Sequence, residues 1–362
     1  MVRPATPAPP SAAPPTSVAP SRLAARWVAL GFAAVIAAVL AGLTIGPAGV
    51  PAGRALAEVA DHIPFVDVDS GLSRSQAAIV WDVRLPRVVL GLLVGAMLGL
   101  AGGAYQGVFR NPLADPYLLG VAAGAGLGAT LAIVSGLSDV SGPLDPLPLA
   151  AFAGALSAVA LTYLVGAGGE ERRSPATLIL AGVAIAALLT AVQTFVQQRH
   201  ADTIRQVYAW ILGRLTTVGW SEVGVMLPYV VVVSVVVLLL RRSLDVLAVG
   251  DEEATSLGLP VDRIRTIVVV AASLGTAAAV ATSGLIGFVG LVVPHTVRLL
   301  GGRSYRTILP MSILLGGAFL VSADLLARTV ISPAEVPIGV ITAFFGAPFF
   351  VVLLRTRRAG PV

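Results

Sequence analysis

RRSLDVLAVGDEEATSLGLPVDRIR, Arg241 to Arg265, is a compact charged island between two long apolar runs. VGVMLPYVVVVSVVVLLL precedes it and TIVVVAASLGTAAAVATSG follows it. Arg241, Arg242, Arg263 and Arg265 are nearly balanced by Asp245, Asp251, Glu252, Glu253 and Asp262. The island also reads as structured. Asp251, Glu252 and Glu253 stand where a short helix begins, and acids there favour the positive end of the helix dipole. Ala254 and Leu257 are three residues apart and are expected on one face. Gly258 suits the left-handed residue that ends a helix. Pro260 restarts the chain, and Val261 to Ile264 lead into the next span. Two short helices held just outside a membrane could form a docking surface; the plainer alternative is an ordinary loop between two spans.

Working outward, the 362 residues are 56% hydrophobic and only 12% charged. Soluble domains carry about 25% charged residues, and here the apolar residues recur in runs of about 20. The chain therefore reads as an all-α, polytopic membrane protein. The formal charge is +5, and every basic residue is Arg. So few charges, spread over loops, argue against nucleic-acid binding. With no Cys there is no disulfide, thiolate metal site or thiol nucleophile. With no Lys there is no GxxxxGK phosphate loop, so the chain cannot hydrolyse ATP by that route.

Residues 1–21, MVRPATPAPPSAAPPTSVAPS, are rich in Pro and Ala and read as a disordered tail. Residues 22–362 read as one transmembrane domain. Its first span is WVALGFAAVIAAVLAGLTIG, which is long for the apolar core of a cleaved signal peptide. After a polar excursion, the second span is VVLGLLVGAMLGLAGGAYQGVF, ending at RNPLADP. Three further apolar runs carry the chain to Val196. QQRHADTIRQVYAWILGRLTTVGW is too polar to cross, and its IRQVYAWIL core reads as a short helix near the surface. Glu222 to Leu240 holds the sixth span, and the seventh runs from about Ile264 to Ser283. GLIGFVGLVVPHTVRLL follows with almost no loop and reads as a short eighth span starting near Gly284. TILPMSILLGGAFLVSADLLAR and VITAFFGAPFFVVLLRTRR complete a count of about ten. Pro116 and Gly120 precede one Gly-rich span as Pro337 and Gly339 precede another, a faint sign of inverted halves.

Ten spans put both termini on one side. Sixteen of the 24 arginines fall on that side, which makes both termini and the 241–265 island cytoplasmic. The lipid bilayer is the expected solvent of the spans.

Glycines within the spans, such as Gly95, Gly99, Gly102 and Gly103, allow helix backbones to approach closely in lipid. A pathway lined by small residues is the alternative. His295 has no partner cluster, so no metal site is expected. Asp324 is an acid well inside a span and thus a functional candidate. Arg328, four residues later on the same face, makes a local ion pair the simpler reading. No Ser-His-Asp or paired-carboxylate arrangement is evident, so neither catalytic residues nor a cofactor are expected.

GDEEATSLGLPVDRIR resembles the loop of FecCD-type permeases of ABC importers, which carry iron-siderophores, haem or cobalamin. RLPR (84–87), QGVFRNPLADPYLLGVAAGAG (106–126), GLIGFVGLVVPHTVRLLGG (284–302), ADLLAR (323–328) and EVPIGVITAFFGAPFFVVLL (335–354) resemble further blocks of that family, in its order. The resemblance covers most of residues 81–355; the Pro-rich tail lies outside it. It implies the type II importer permease architecture of ten spans and a dimer of permease subunits, identical or not. It also implies separate ATPase subunits, an extracytoplasmic solute-binding protein and a location in a bacterial plasma (inner) membrane. Gly250, Asp251, Glu252, Ala254, Leu257 and Gly258 would couple to the ATPase. Arg84, Arg87 and Arg328 match arginines that face acidic residues of the binding protein; snorkelling to lipid phosphate is the alternative for them. A ferric siderophore is the expected cargo, with cobalamin and haem as alternatives. An ion-coupled secondary transporter is the competing class; it would need a protonatable centre in the bundle, for which Asp324 is thin support.

Overall fold

A computed structural model describes residues 25–46, 49–65, 67–137, 145–166, 175–215 and 219–357. The Pro/Ala-rich tail, and the charged stretch Glu170 to Arg173 between two of the apolar runs, lie outside the described residues. Those residues form helices and no strand. Among the described residues, seven helical segments are long and apolar enough to cross a membrane. They are α1 (Ala25–Thr44), the continuous segment Arg74–Val108, α6 (Pro146–Gly166), α7 (Pro175–Arg199), α9 (Ser221–Leu239), α12 (Val261–Ser283) and α14 (Tyr305–Thr329). Two shorter apolar helices, α5 (Val121–Val134) and α13 (Val289–Gly301), and α15 (Ile338–Arg357), whose apolar part is Ile338–Leu353, bring the apolar elements to the expected ten. α2 (Ala52–Asp61) follows α1 in the polar excursion, and α8 (Ile204–Ile211) is the short helix expected at IRQVYAWIL, with Val207 and Trp210 on its buried side.

The second span is longer than its apolar run suggests. α3 (Arg74–Ala78), a π-helical segment (Ile79–Arg84) and α4 (Leu85–Val108) run on without a break. The wider π turn accommodates Pro86: the Leu85 amide reaches back to the Val80 carbonyl, so the helix absorbs a residue that would break an α-helical ladder.

α4 and α14 form the most extensive pair, and glycine explains why. A Cβ on Gly95 would lie 2.3 Å from the Gly316 carbonyl oxygen, and one on Gly99 would lie 2.4 Å from that of Ser312. Without a hydrophobic drive between helices in lipid, such backbone contact supplies the association. α4 is therefore central, with 83% of its apolar window buried, whereas α1 and α7 are each 22% buried and present broad faces outward.

The eighth span departs from expectation. Residues 284–288 are not helical, and α13 begins only at Val289. α13 has 13 residues and α5 has 14, about 20 Å each against a hydrocarbon core of about 30 Å. Each is preceded by irregular chain, which is tolerated at depth only when protein covers it. Here the two irregular stretches cover one another: Tyr117 Oη donates to the Ile286 carbonyl at 2.9 Å and accepts from the Ile286 amide at 3.2 Å. α5 and α13 are thus half-helices whose irregular approaches meet.

Candidate functional site

The charged island folds as α10 (Arg241–Leu247) and α11 (Asp251–Ser256). Val261 to Ile264 are not a separate short helix but the first turn of α12. Gly258 is left-handed, with φ 81°, as its position requires. The Leu259 amide closes the turn on the Ala254 carbonyl at 3.0 Å, a Schellman-type end.

α11 has an inner and an outer face. Asp251 accepts from Arg265 Nη2 at 2.8 and 3.0 Å and lies 3.6 Å from Arg110 Nη2. Arg265 itself is buried. The pair fastens α11 to α12, and Arg110 extends the contact to the end of α4. Ala254 is fully buried, whereas Leu257 is 72% exposed. The expectation that these two share a face is therefore corrected: the helix ends at Ser256, and Leu257 turns away at the cap. Of the six expected coupling residues, Glu252, Leu257 and Gly258 are exposed, Asp251 and Ala254 hold the helix down, and Gly250 is buried. Sequence reasoning missed Val249, an exposed apolar residue just before α11.

Polar contacts continue from this loop into the bundle. Asp245, on α10, accepts from the Ser304 hydroxyl at 2.8 Å and the Tyr305 amide at 2.6 Å, capping the start of α14. Arg298, on α13, donates to Tyr305 Oη at 2.9 Å and, in a short contact, to Gln106 of α4. The loop is thus tied to α4, α12 and α14 at the ends nearest to it.

At the opposite end lie the three expected docking arginines, and burial separates them. Arg84 and Arg328 are 4% and 5% exposed. Arg84 Nη1 donates to the Leu43 carbonyl at 3.1 Å and Arg328 Nη2 to the Gly42 carbonyl at 2.5 Å. Both guanidinium groups therefore satisfy the carbonyl end of α1, where the helix dipole favours a cation. Their expected exposure, whether toward a partner or toward lipid phosphate, is corrected: the acceptors are backbone oxygens of another helix. Arg87 alone reaches the surface. Its Nε and Nη2 hold Asp324 at 2.8–3.2 Å, and its Nη1 and Nη2 each hold Glu335 at 2.9 Å. Asp324 is buried and sits 3.5 Å from Arg328 Nε, so its main partner is the arginine on α4 rather than the expected one on its own helix. The Arg87 hydrogen bonds hold the Glu335 carboxyl below the usual carboxylate range.

Between these two ends is a cavity of about 450 Å³, lined in part by Tyr117, Thr190, Gln193, Gln197 and Tyr208. Thr190, Gln193, Thr194 and Gln197 recur at helical spacing and put a polar stripe on α7, an otherwise apolar span. That periodicity was the available signal, and the sequence reading did not use it. A second cavity, of about 380 Å³, is apolar and lined by Leu212, Leu285, Phe288, Gly339 and Phe344 among others.

Comparison with known proteins agrees with this geometry. The FecCD transport family matches residues 34–356. The "Cobalamin import system permease protein BtuC" of Halobacterium salinarum is 41% identical, over 93% of this chain and 98% of the relative. The "Fe(3+) dicitrate transport system permease protein FecD" of Escherichia coli is 39% identical, over 77% of this chain and 86% of the relative. The "Hemin transport system permease protein HmuU" of Yersinia pestis is 39% identical over 77% of this chain and 84% of its own length. Among solved structures, an inward-facing ABC transporter described as of the metal-chelate type superposes with a TM-score of 0.79 at 29% identity, covering 92% of this chain and 99% of the other. The chain belongs to the FecCD transport family and is a multi-pass membrane permease of the ABC importer type.

Proposed function

We propose that this chain builds the membrane pathway of an importer for a compact metal chelate. Ferric siderophores, cobalamin and haem are the cargo candidates, and the relatives named for ferric dicitrate, cobalamin and hemin fit that chemical class. A second permease subunit completes the pathway, with the polar stripe of α7 facing it. Two separate ATPase subunits dock at α11, and an extracytoplasmic binding protein delivers cargo at the Arg87 end. The arginine distribution favours a cytoplasmic α11 and cytoplasmic termini. Residues 22–362 act as one permease domain, with residues 1–21 as a tail.

The observation that carries this reading is the division of α11. Asp251 and Ala254 pin it to the bundle, leaving Val249, Glu252 and Leu257 exposed as a small apolar and acidic ridge. A pinned helix with an outward ridge transmits a push instead of absorbing it. Co-purification tests this. Leu257→Arg places a charge on the ridge without touching the bundle, so the variant is expected to accumulate normally and to lose its ATPase subunits. Retention of those subunits at the parental ratio would refute docking at α11.

A further inference from the structure

We infer that Glu335 is an internal latch on Arg87, and that an acidic protein partner docks at this face by taking its place. The inference rests on the docking reading above and adds what docking must displace.

Arg87 is nearly saturated. Asp324 takes Nε and one side of Nη2, and Glu335 takes the other side of Nη2 together with Nη1. An arginine fork offers planar, bidentate recognition of a carboxylate. Both bidentate edges of this fork are occupied from within the chain, so a partner carboxylate gains such an edge only if one of them leaves.

The two occupants are unequal. The Asp324 side chain is 3% exposed and Glu335 45% exposed. Releasing Asp324 would strand a charge inside the bundle, beside Arg328. Releasing Glu335 returns it to water, which solvates it well. Glu335 is therefore the exchangeable ligand. Arg84 and Arg328 are not available to replace Arg87, because the end of α1 already holds them.

Displacement has a mechanical consequence. Glu335 lies in the loop joining α14 to α15. The Val336 amide bonds the Ala327 carbonyl at 2.9 Å, and the Gly339 amide bonds that of Leu212 at 3.1 Å. Gly339 and Leu212 line the apolar 380 Å³ cavity. Freeing Glu335 loosens the tether at the first turn of α15, beside that cavity. Docking and α15 mobility are then linked, and the linkage is reciprocal.

The test uses the complete transporter in nanodiscs and its loaded solute-binding protein. Glu335→Gln removes the latch charge. Asp82→Asn, on an exposed acid near Arg84, removes an equal charge and serves as the control for general electrostatic steering. Capture is timed at low and high salt. Glu335→Gln is expected to tighten capture about tenfold, with slower dissociation; Asp82→Asn is expected to change association alone. A spin label on a cysteine at Ser332, in the same loop, is expected to gain mobility when the partner binds the parental complex and to be mobile already in Glu335→Gln. Capture by Glu335→Gln matching either the parent or Asp82→Asn, or a label indifferent to the partner, overturns the latch while leaving docking intact. Absence of salt-dependent capture by the parental complex removes the docking reading itself, and the latch with it.

Discussion

Gly102 is the tightest point of the bundle and the sharpest test of how it is packed. A Cβ at this position would lie 1.9 Å from the Gly290 carbonyl oxygen, 2.4 Å from its carbon and 2.5 Å from its Cα. All three obstacles are backbone, so no rotamer relieves them. Favourable carbon contacts start near about 3.5 Å, and Gly102→Ala therefore forces α13 to retreat by about 1.5 Å. Overpacking of that kind costs about 1–3 kcal/mol. The retreat also stretches the bond from Gln106 Nε2 to the Gly290 carbonyl, now 3.3 Å, whose loss adds about 1 kcal/mol. The sum is about 2–4 kcal/mol, a large part of a typical domain's stability. Gly53→Ala is the control, since nothing lies within 4 Å of a Cβ there. Unfolding of the purified complex, followed by tryptophan fluorescence at one scan rate, should show Gly102→Ala melting several degrees below the parent and Gly53→Ala melting with it. Equal melting of all three would mean that α4 and α13 are not in backbone contact at Gly102.

Three further outcomes are expected. Ala254→Arg, unlike Leu257→Arg, puts its charge into the fully buried side of α11, so it should lower the yield of folded permease; normal yield with normal transport would contradict the inner face. Cysteines introduced into this cysteine-free chain report sidedness: one at Arg303 should resist an impermeant thiol reagent applied outside and one at Ser332 should react, and the reverse pattern would invert the orientation. The contact between Glu335 and Arg87 should persist from neutral pH down through the ordinary carboxylate range near about pH 4, because a carboxyl with a lowered folded pKa loses its contribution only as pH falls through that lowered value; loss of the contact between pH 7 and 5, read from the Ser332 label, would contradict it.

The spans were legible because lipid demands long apolar runs, and no other constraint writes so plainly in composition. The half-helices were less so. Pro116 and Gly120 mark the approach to α5, but GLIGF, Gly284 to Phe288, carries no proline and no charge. Its break depends on the Tyr117 hydroxyl reaching the Ile286 backbone, a contact 169 positions apart. The arginines misled for a related reason. A basic residue at the end of a span reads as exposed, yet the acceptors of Arg84 and Arg328 are main-chain carbonyls of α1. Carbonyl groups occur at every residue, so no side-chain pattern announces them. Ala254 and Leu257 failed as a pair because three-residue spacing holds only while the helix lasts, and α11 lasts six residues.

The central claim is that this permease is driven through α11 by separate ATPase subunits. Asp324, the acid on which an ion-coupled mechanism would depend, is instead clamped by Arg87. Uptake of ferric siderophore, cobalamin or haem by proteoliposomes holding the complete transporter, with binding protein outside and ATP inside, tests that claim most directly. Accumulation of one of these cargoes should require ATP, vanish in Leu257→Arg and be unaffected by a protonophore. Uptake by the permease without ATPase subunits, driven by an imposed ion gradient, would contradict it.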